Sequence, residues 1–359
     1  MANVISGIDI YAPVFIVKLV KSGKTIPKDS ISSIEVEENL DSPAMFTISL
    51  SDTLNIDTQK FKWLDNASIT PGTEVTVTFG YASLPEKQGL IRGRIKGINP
   101  NFLSTGGSTL AINGYDLSHD MQKKEGKLSY KDVTYSEVAE DIAKNNGLKS
   151  NGVEPTRKKH NIVERKKNEK DYGFIRRLAD DIGFEFFVRD TSLYFREPKD
   201  REEGKMTFEL RKNFISFNPR MATANLVNEV QVSAWNDKDK EQILETAKIS
   251  DIKSGVGISD LDNIIEKAQS QKIKINLEGR VVKSKEEAKT LAITELKRRN
   301  NGFIEGSLEC AGDPQLRPGM TVNILKVGDR FSGVYYVKTA KHSIGDGGYR
   351  TTLEVRRSL

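Results

Sequence analysis

A single cysteine, Cys310, in 359 residues leaves no room for an internal disulfide framework or a multi-thiolate metal site. Histidine is almost as scarce: His119, His160 and His342 stand far apart, none in a His-x-x-x-His or Glu-x-x-His frame, so the local spacing of a zinc site is missing. There is no Gly-x-Ser-x-Gly elbow, no phosphate-cradling Gly-x-x-x-x-Gly-Lys-Ser/Thr loop and no dinucleotide fingerprint. Long apolar runs are absent too. Val14–Val20 is interrupted by Lys18 and is far too short to span a bilayer. Met1–Ile10 lacks the basic start and apolar block of a secretory signal. Charge of one sign is not in excess: 55 Lys and Arg face 50 Asp and Glu, a net +5, without the concentrated basic stripe of a DNA-binding domain. These absences predict a chain built in a reducing cytoplasm, with no catalytic residue, no cofactor, no metal, no stable membrane insertion and no specific nucleic acid. At this length two to four packed units are expected.

What is present is mostly β. Pro13–Val20, Ile31–Glu37, Met45–Ser51, Thr73–Phe79, Gly89–Ile98 and Ser108–Tyr115 alternate apolar and polar residues, the mark of strands with one buried face. Gly23, Pro43, Pro71-Gly72 and Gly106-Gly107 punctuate them at strand-turn spacing. With no long helix between, the run predicts a small barrel or sandwich.

After Asp116 the texture changes. Thr134–Asn146 puts Val138, Ala139 and Ile142 on one face and stops at Gly147. Asn168–Ile182 carries a stripe of Phe174, Ile175, Leu178, Ala179 and Ile182, ended by Gly183. Glu185–Arg189 and Leu193–Arg196 then read as a hairpin across Asp190-Thr191-Ser192. Strands return from Met206, including Val227–Trp235. Ser254–Gln271 reads as a polar loop and a short helix. A second long helix begins at Ser284, with Glu287 in capping-box position and Ala288, Leu291, Ala292 and Leu296 as its stripe, closing at Gly302. The end is β again: Phe303–Cys310, Met320–Leu325, Val334–Thr339 and Arg350–Val355.

A weak internal repeat links the two β regions. Pro71-Gly72-Thr73-Glu74-Val75-Thr76-Val77 resembles Pro318-Gly319-Met320-Thr321-Val322-Asn323-Ile324. Each is followed by a Gly-led strand, from Gly89 and from Gly333, then by a Gly-Gly turn, Gly106-Gly107 and Gly347-Gly348, and a last strand. Proline presets φ at the first turn position and glycine supplies positive φ at the next, so Pro-Gly fixes where the following strand starts. The fold class expected is a β-rich α+β chain with two similar small β-barrels, a helix-containing middle region and an inserted helix. The divisions read are 1–115 for the first barrel, 116–205 for the middle, 206–250 with 301–359 for the second barrel, and 251–300 for the helical insertion.

Four features could carry chemistry. Asp180, Asp181 and Glu185 cluster at a helix end; paired carboxylates serve glycoside hydrolysis only in a shaped cleft, and solvated charge explains them better. Arg157-Lys158-Lys159-His160 with Arg165-Lys166-Lys167 has no interleaved aromatics to stack on bases and reads as an exposed connector. Ser254-Gly255-Val256-Gly257 reads as a flexible loop, and Cys310 as a packing residue.

Asn168–Pro198 carries a more specific signal: Asp171, Tyr172, Phe174, Arg177, Leu178, Ala179, Gly183, Phe184, Phe186, Phe187, Leu193 and Phe195. This block resembles the phage late control protein D family, related to VgrG hubs of type VI secretion and to myophage baseplate hubs. A second block fits the same family: Gly312-Asp313-Pro314, Leu316-Arg317-Pro318-Gly319, Phe331-Ser332-Gly333, Tyr335-Tyr336-Val337 and His342-Ser343. The resemblance implies a structural, non-enzymatic hub: a homotrimer of two similar barrels per subunit, between a hexameric tail tube protein and a trimeric spike, touching baseplate or wedge proteins. It singles out Asp171, Tyr172, Phe174, Arg177, Leu178, Gly183, Phe184, Pro318, Gly319, Gly333 and Tyr336 as structural motif residues. VgrG chains continue into a β-helical needle; this sequence stops at Leu359 without Gly-punctuated repeats, so a separate spike protein is expected. The competing expectations are a baseplate-associated cell-wall hydrolase and a nucleic-acid-binding tail component.

Overall fold

A computed structural model describes residues 13–82, 88–104, 107–200, 202–223, 226–236, 240–252, 274–277 and 284–357. The first unit comprises β1 (Pro13–Leu19), β2 (Ile31–Asn39), β3 (Met45–Asp52), a short hairpin of β4 (Leu54–Asn55) and β5 (Lys60–Phe61), β6 (Glu74–Tyr81), β7 (Gln88–Asn101) and β8 (Ser108–Asp116). A middle unit follows: β9 (Ser129–Thr134), α1 (Tyr135–Asn145), β10 (Lys149–Val153), β11 (Lys159–Glu164), α2 (Asp171–Ile182), β12 (Glu185–Arg189) and β13 (Ser192–Arg196). Then come β14 (Met206–Glu209), β15 (Ser216–Met221), β16 (Glu229–Asn236), β17 (Glu241–Lys248), β18 (Lys274–Leu277) and α3 (Lys285–Asn300). The chain finishes with β19 (Ile304–Ala311), β20 (Thr321–Leu325), β21 (Gly333–Gly345) and β22 (Gly348–Arg356). Strand makes up 49% and helix 17%, the β-rich α+β class that the alternation predicts.

The two β regions form one 12-stranded sheet, ordered β1-β6-β7-β8-β3-β2-β21-β22-β19-β15, with β20 on β21 and β14 on β20. The seam is β2 against β21, antiparallel from Ile34 opposite Ile344 to Asn39 opposite Thr339. Period-2 alternation tells which face of a strand is buried, not which edge it offers, and so the seam was not foreseen. Each unit still keeps its own apolar cluster: Phe46, Ile48, Val75, Val77 and Phe79 in the first, Leu308, Val322, Ile324, Tyr335 and Leu353 in the second.

The repeat is structural. A row of cross-strand neighbours runs Val36, Phe46, Gly114, Ile95 through the first unit. Its counterpart runs Pro219, Gly306, Val355, Val337 through the second. A bulge follows each row at the same place, between Ile95 and Gly97 and between Val337 and Thr339. Gly72 N donates to Ile95 O (2.8 Å) and Ile95 N to Thr73 O (2.9 Å); Gly319 N donates to Val337 O and Val337 N to Met320 O (both 2.9 Å). Gly72 (φ +93°) and Gly319 (φ +80°) hold the left-handed conformation that the Pro-Gly turns require. Gly348 (φ +82°) does the same in the β21–β22 turn, whereas its expected counterpart, Gly107, is not at positive φ.

Strands β16 and β17, expected in the second barrel, belong elsewhere. They pair with each other and with β18 in a separate three-stranded sheet. Val230, Val232 and Ala234 alternate onto one buried face, joined in the same apolar cluster by Ala288, Ala292 and Leu296 of α3. The side chain of Ser284 accepts from Glu287 N, one half of the expected capping box. The expected loop and short helix over 254–271 lie outside the described residues.

In the middle unit α1 starts at a full capping box between Thr134 and Glu137, a feature that stabilises a helix by about 1 kcal/mol. α2 starts at Asp171, three residues later than the apolar stripe suggested. Asn168 has φ +62° and Glu169 N bonds back to Lys166 O, so the chain turns there before the helix begins. Gly183 ends it at φ +74°, and β12–β13 close over the two residues Asp190-Thr191.

Candidate assembly interface

The middle unit docks on the Pro318-Gly319 turn through charged side chains of its hairpin. Arg196 Nη2 donates to Gly319 O (2.9 Å) while its Nε donates to Glu185 Oε1 (2.8 Å). The other oxygen of Glu185 accepts from the Tyr336 hydroxyl. Arg189 Nη2 donates to Pro318 O (3.2 Å), and the guanidinium groups of Arg189 and Arg196 both lie about 5 Å from the Phe187 ring centre (5.3 and 5.2 Å). Burial pushes the Glu185 carboxyl above its usual range, against the pull of Tyr336 and Arg196, and lowers Arg189.

A second buried group ties the two β units together. Arg317 Nη2 donates to Glu38 Oε1 (2.6 Å) and to Leu90 O (2.7 Å), and Nη1 to Gly89 O (2.9 Å). The second unit thereby grips β2 and the start of β7. Arg176 of α2 completes the contact, donating to Leu40 O (2.5 Å) and Phe186 O (3.1 Å). Removing one partner from such a buried pair costs roughly 3–5 kcal/mol, because the other charge is stranded.

The structure brings two sequence-singled groups together here. Pro318, Gly319 and Tyr336, from the second block, meet the hairpin that follows Gly183 and Phe184. The rest of the first block builds the middle core. Asp171 is 1% exposed and holds Arg165 at 2.7 Å and Asn146 at 2.9 Å. Phe174 is sandwiched between Arg165 (4.5 Å) and Arg177 (5.1 Å), and Arg177 binds both oxygens of Glu169 at 2.8 Å. Leu178 is buried; Tyr172 packs on Phe186 and Phe184 on Phe195. Gly333 stands apart from the clamp, against Arg357. Glu38, Arg176, Arg189 and Arg196 were missed as site residues, since isolated charges on strands and helices read as solvated; Glu185 was noted only as part of a carboxylate cluster.

The chemistry-bearing candidates are dispersed. Glu185 turns inward to Arg196 and Tyr336, away from a carboxylate pair with Asp180 or Asp181. His119 stacks on Tyr115 and His160 on Tyr135. His342 is buried, its Nε2 donating to Leu316 O (2.9 Å) and its Nδ1 accepting from Tyr349 (2.9 Å). The basic run splits: Lys158 pairs with Glu287 of α3 (2.6 Å), and Arg165 turns into the core. Burial pushes the Cys310 thiol up, out of the reactive range. Among the described residues no group of His, Cys, Asp and Glu could hold a metal ion, and no helix is long and apolar enough to cross a membrane.

Among solved structures, the fold is similar to the 43 kDa tail protein of prophage MuSo2 from Shewanella oneidensis: TM-score 0.76, 14% identity, 96% of this chain and 98% of that one. It is similar to a tail protein from Neisseria meningitidis: TM-score 0.71, 13% identity, 96% and 97% of the two chains. It is also similar to the E. coli c3393 protein, a component of the type VI secretion system: TM-score 0.59, 13% identity, 96% and 77%. At these identities the likeness is one of fold, and it is the fold of phage tail and VgrG-type chains that the two sequence blocks suggested. No curated protein matches the sequence. The family model of the Alg8 N-terminal domain matches residues 12–346, and the chain belongs to that family.

Proposed function

We propose that this chain is a structural component of a tail or baseplate, and within it the hub: a trimeric ring adapting a hexameric inner tube to a trimeric spike. One observation carries the reading. The chain holds two β units whose rows, bulges and Pro-Gly turns coincide, so three copies present six near-equal units to a tube. The middle unit, in contrast, docks on only one of the two turns, Pro318-Gly319, and so occurs three times per ring. That side suits a threefold spike. The partners are the tail tube protein, a spike protein and baseplate or wedge proteins, met in the baseplate of a virion or injection particle assembled in the cytoplasm. The role is mechanical, through broad, partly apolar surfaces of the kind that permanent assemblies use.

Imaging particles made with and without this chain tests the role. Without it, tubes should fail to nucleate on the baseplate and spikes should not be incorporated. Normal particles lacking only hydrolytic activity would sink the hub and revive the wall hydrolase.

A further inference from the structure

We infer that a second copy of this chain docks β15 along the outer half of β7, repeating between subunits the seam that β2 and β21 form within one. This rests on the proposed ring and gives its joint a register.

The observation is an unmatched pair of edges. In the intrachain seam, Leu40 N donates to Lys338 O, so Lys338, Ala340, His342 and Ile344 face β2. By the repeat, Lys96, Ile98, Pro100 and Phe102 hold the corresponding places after the bulge. β6 pairs with β7 only as far as Arg94, and the Pro-Gly turn takes Ile95. Among the described residues, nothing hydrogen-bonds the outer edge beyond. The counterpart of β2 is β15, which among the described strands pairs with β19 alone. Ala222 N donates to Phe303 O, so Asn218 and Arg220 face β19 and Phe217, Pro219 and Met221 face outward. The chain thus contains one complete seam and two halves of another.

Transferring the register of β2–β21 sets Met221 opposite Ile98, Pro219 opposite Pro100 and Phe217 opposite Phe102. Apolar exposure agrees with this placement: Phe102 is 58% exposed, Leu103 50% and Ile215 55%, and the three fall at the same end of the joint. Neither Pro219 nor Pro100 carries an N–H, so the central rung lacks both hydrogen bonds that Val36 and His342 are placed to exchange. The subunit seam is therefore weaker than the internal one. The same prolines keep either edge from templating an indefinite ladder. Head-to-tail pairing of unlike edges generates a closed ring when the rotation closes.

Cysteine pairs test the register. Asn101 with Asn218, and Asn99 with Arg220, fall at non-hydrogen-bonded positions, where cross-strand Cβ atoms approach to about 4.5–5.5 Å, near the span a disulfide needs. Cys310 is buried and gives a quiet background. The full-length Asn101→Cys/Asn218→Cys and Asn99→Cys/Arg220→Cys variants should yield covalent oligomers on a non-reducing gel after oxidation. The offset pair Asn101→Cys/Arg220→Cys should give about tenfold less, its Cβ atoms lying beyond disulfide reach. Light scattering on the unsubstituted chain, run alongside, separates the two claims. A trimer that cross-links at neither in-register pair overturns this joint and leaves the ring. Equal cross-linking of the offset pair overturns the register. A monomer without cross-links overturns both.

Discussion

The two β units share a frame and fill it in opposite ways. In the first, Phe46 projects over Gly93 and Gly114; a side-chain carbon added at Gly114 would stand 2.5 Å from the Phe46 ring. In the second, the place of Phe46 is taken by Gly306, while Tyr335 and Val355 hold the places of Gly93 and Gly114. Large and small residues have changed sides of the row, so each unit fills its interior from the opposite strand. The outer turns differ as well. Among the described residues a carbon added at Gly72 would meet nothing within 4 Å, whereas one at Gly319 would collide with Arg196. The second turn is covered by the middle unit; the described part of the middle unit leaves the first uncovered. Like frames in unlike surroundings are what the proposed ring requires.

The largest expected effect breaks this packing swap. Phe46→Ala should cost about 3–5 kcal/mol, since the glycines beneath cannot fill the cavity. Gly114→Val alone should cost about 3 kcal/mol or more, since the added carbon would collide with the backbone Arg94 O as well as with the Phe46 ring. Phe46→Ala combined with Gly114→Val removes the contact with the ring but not that with Arg94 O, and should cost less than the two single changes together. Denaturant melts read all four proteins, and strict additivity would mean that the Phe46 ring and the side chain added at Gly114 do not compete for one space.

A second contrast lies at Pro100 and His342, which hold equivalent places. Burial lowers His342 to about 4, with Glu38 opposing and Arg317 adding to the shift. Its unfolded value is 6.5, so the native state binds fewer protons between these limits. The stability is present above pH 6.5 and lost as the pH falls through 4. The loss amounts to about 3 kcal/mol from this group. Asp116, raised by burial to about 6, acts with the opposite sign: its contribution falls as pH rises from 3.8 to 6. Between pH 4 and 6 the two groups therefore oppose each other. Stability profiles of native protein and His342→Gln should diverge between pH 6.5 and 4, with the variant less sensitive to acid. Parallel profiles would remove His342 as a titrating element.

The smallest effect concerns the middle unit. Gly183→Val should cost on the order of 1–3 kcal/mol, from its positive φ and from contact with Thr294 of α3, 3.1 Å from the added carbon. Unchanged melting would show that α2 does not end there in solution.

Much of this frame was legible beforehand. Pro71-Gly72 and Pro318-Gly319 announced the repeat because proline and glycine restrict the backbone wherever they sit. Gly147 and Gly183 marked helix ends for the same reason. The Phe46 swap explains why the repeat was faint: with the large residue moved to the facing strands, residue-by-residue comparison sets Phe against Gly and Gly against Val. The seam of β2 with β21 was hidden because alternation specifies faces and is silent on edges. The clamp of Glu185, Arg189 and Arg196 was hidden because a strand charge reads the same whether it meets water or a distant carbonyl.

Rotational symmetry of the purified ring, measured by electron microscopy at two heights along its axis, tests the central claim most directly. At the level of the β units the density should be modulated sixfold, and at the level of the middle units threefold. Threefold modulation at both levels, or the two β units of one chain at different heights, would contradict the equivalence on which the hub depends.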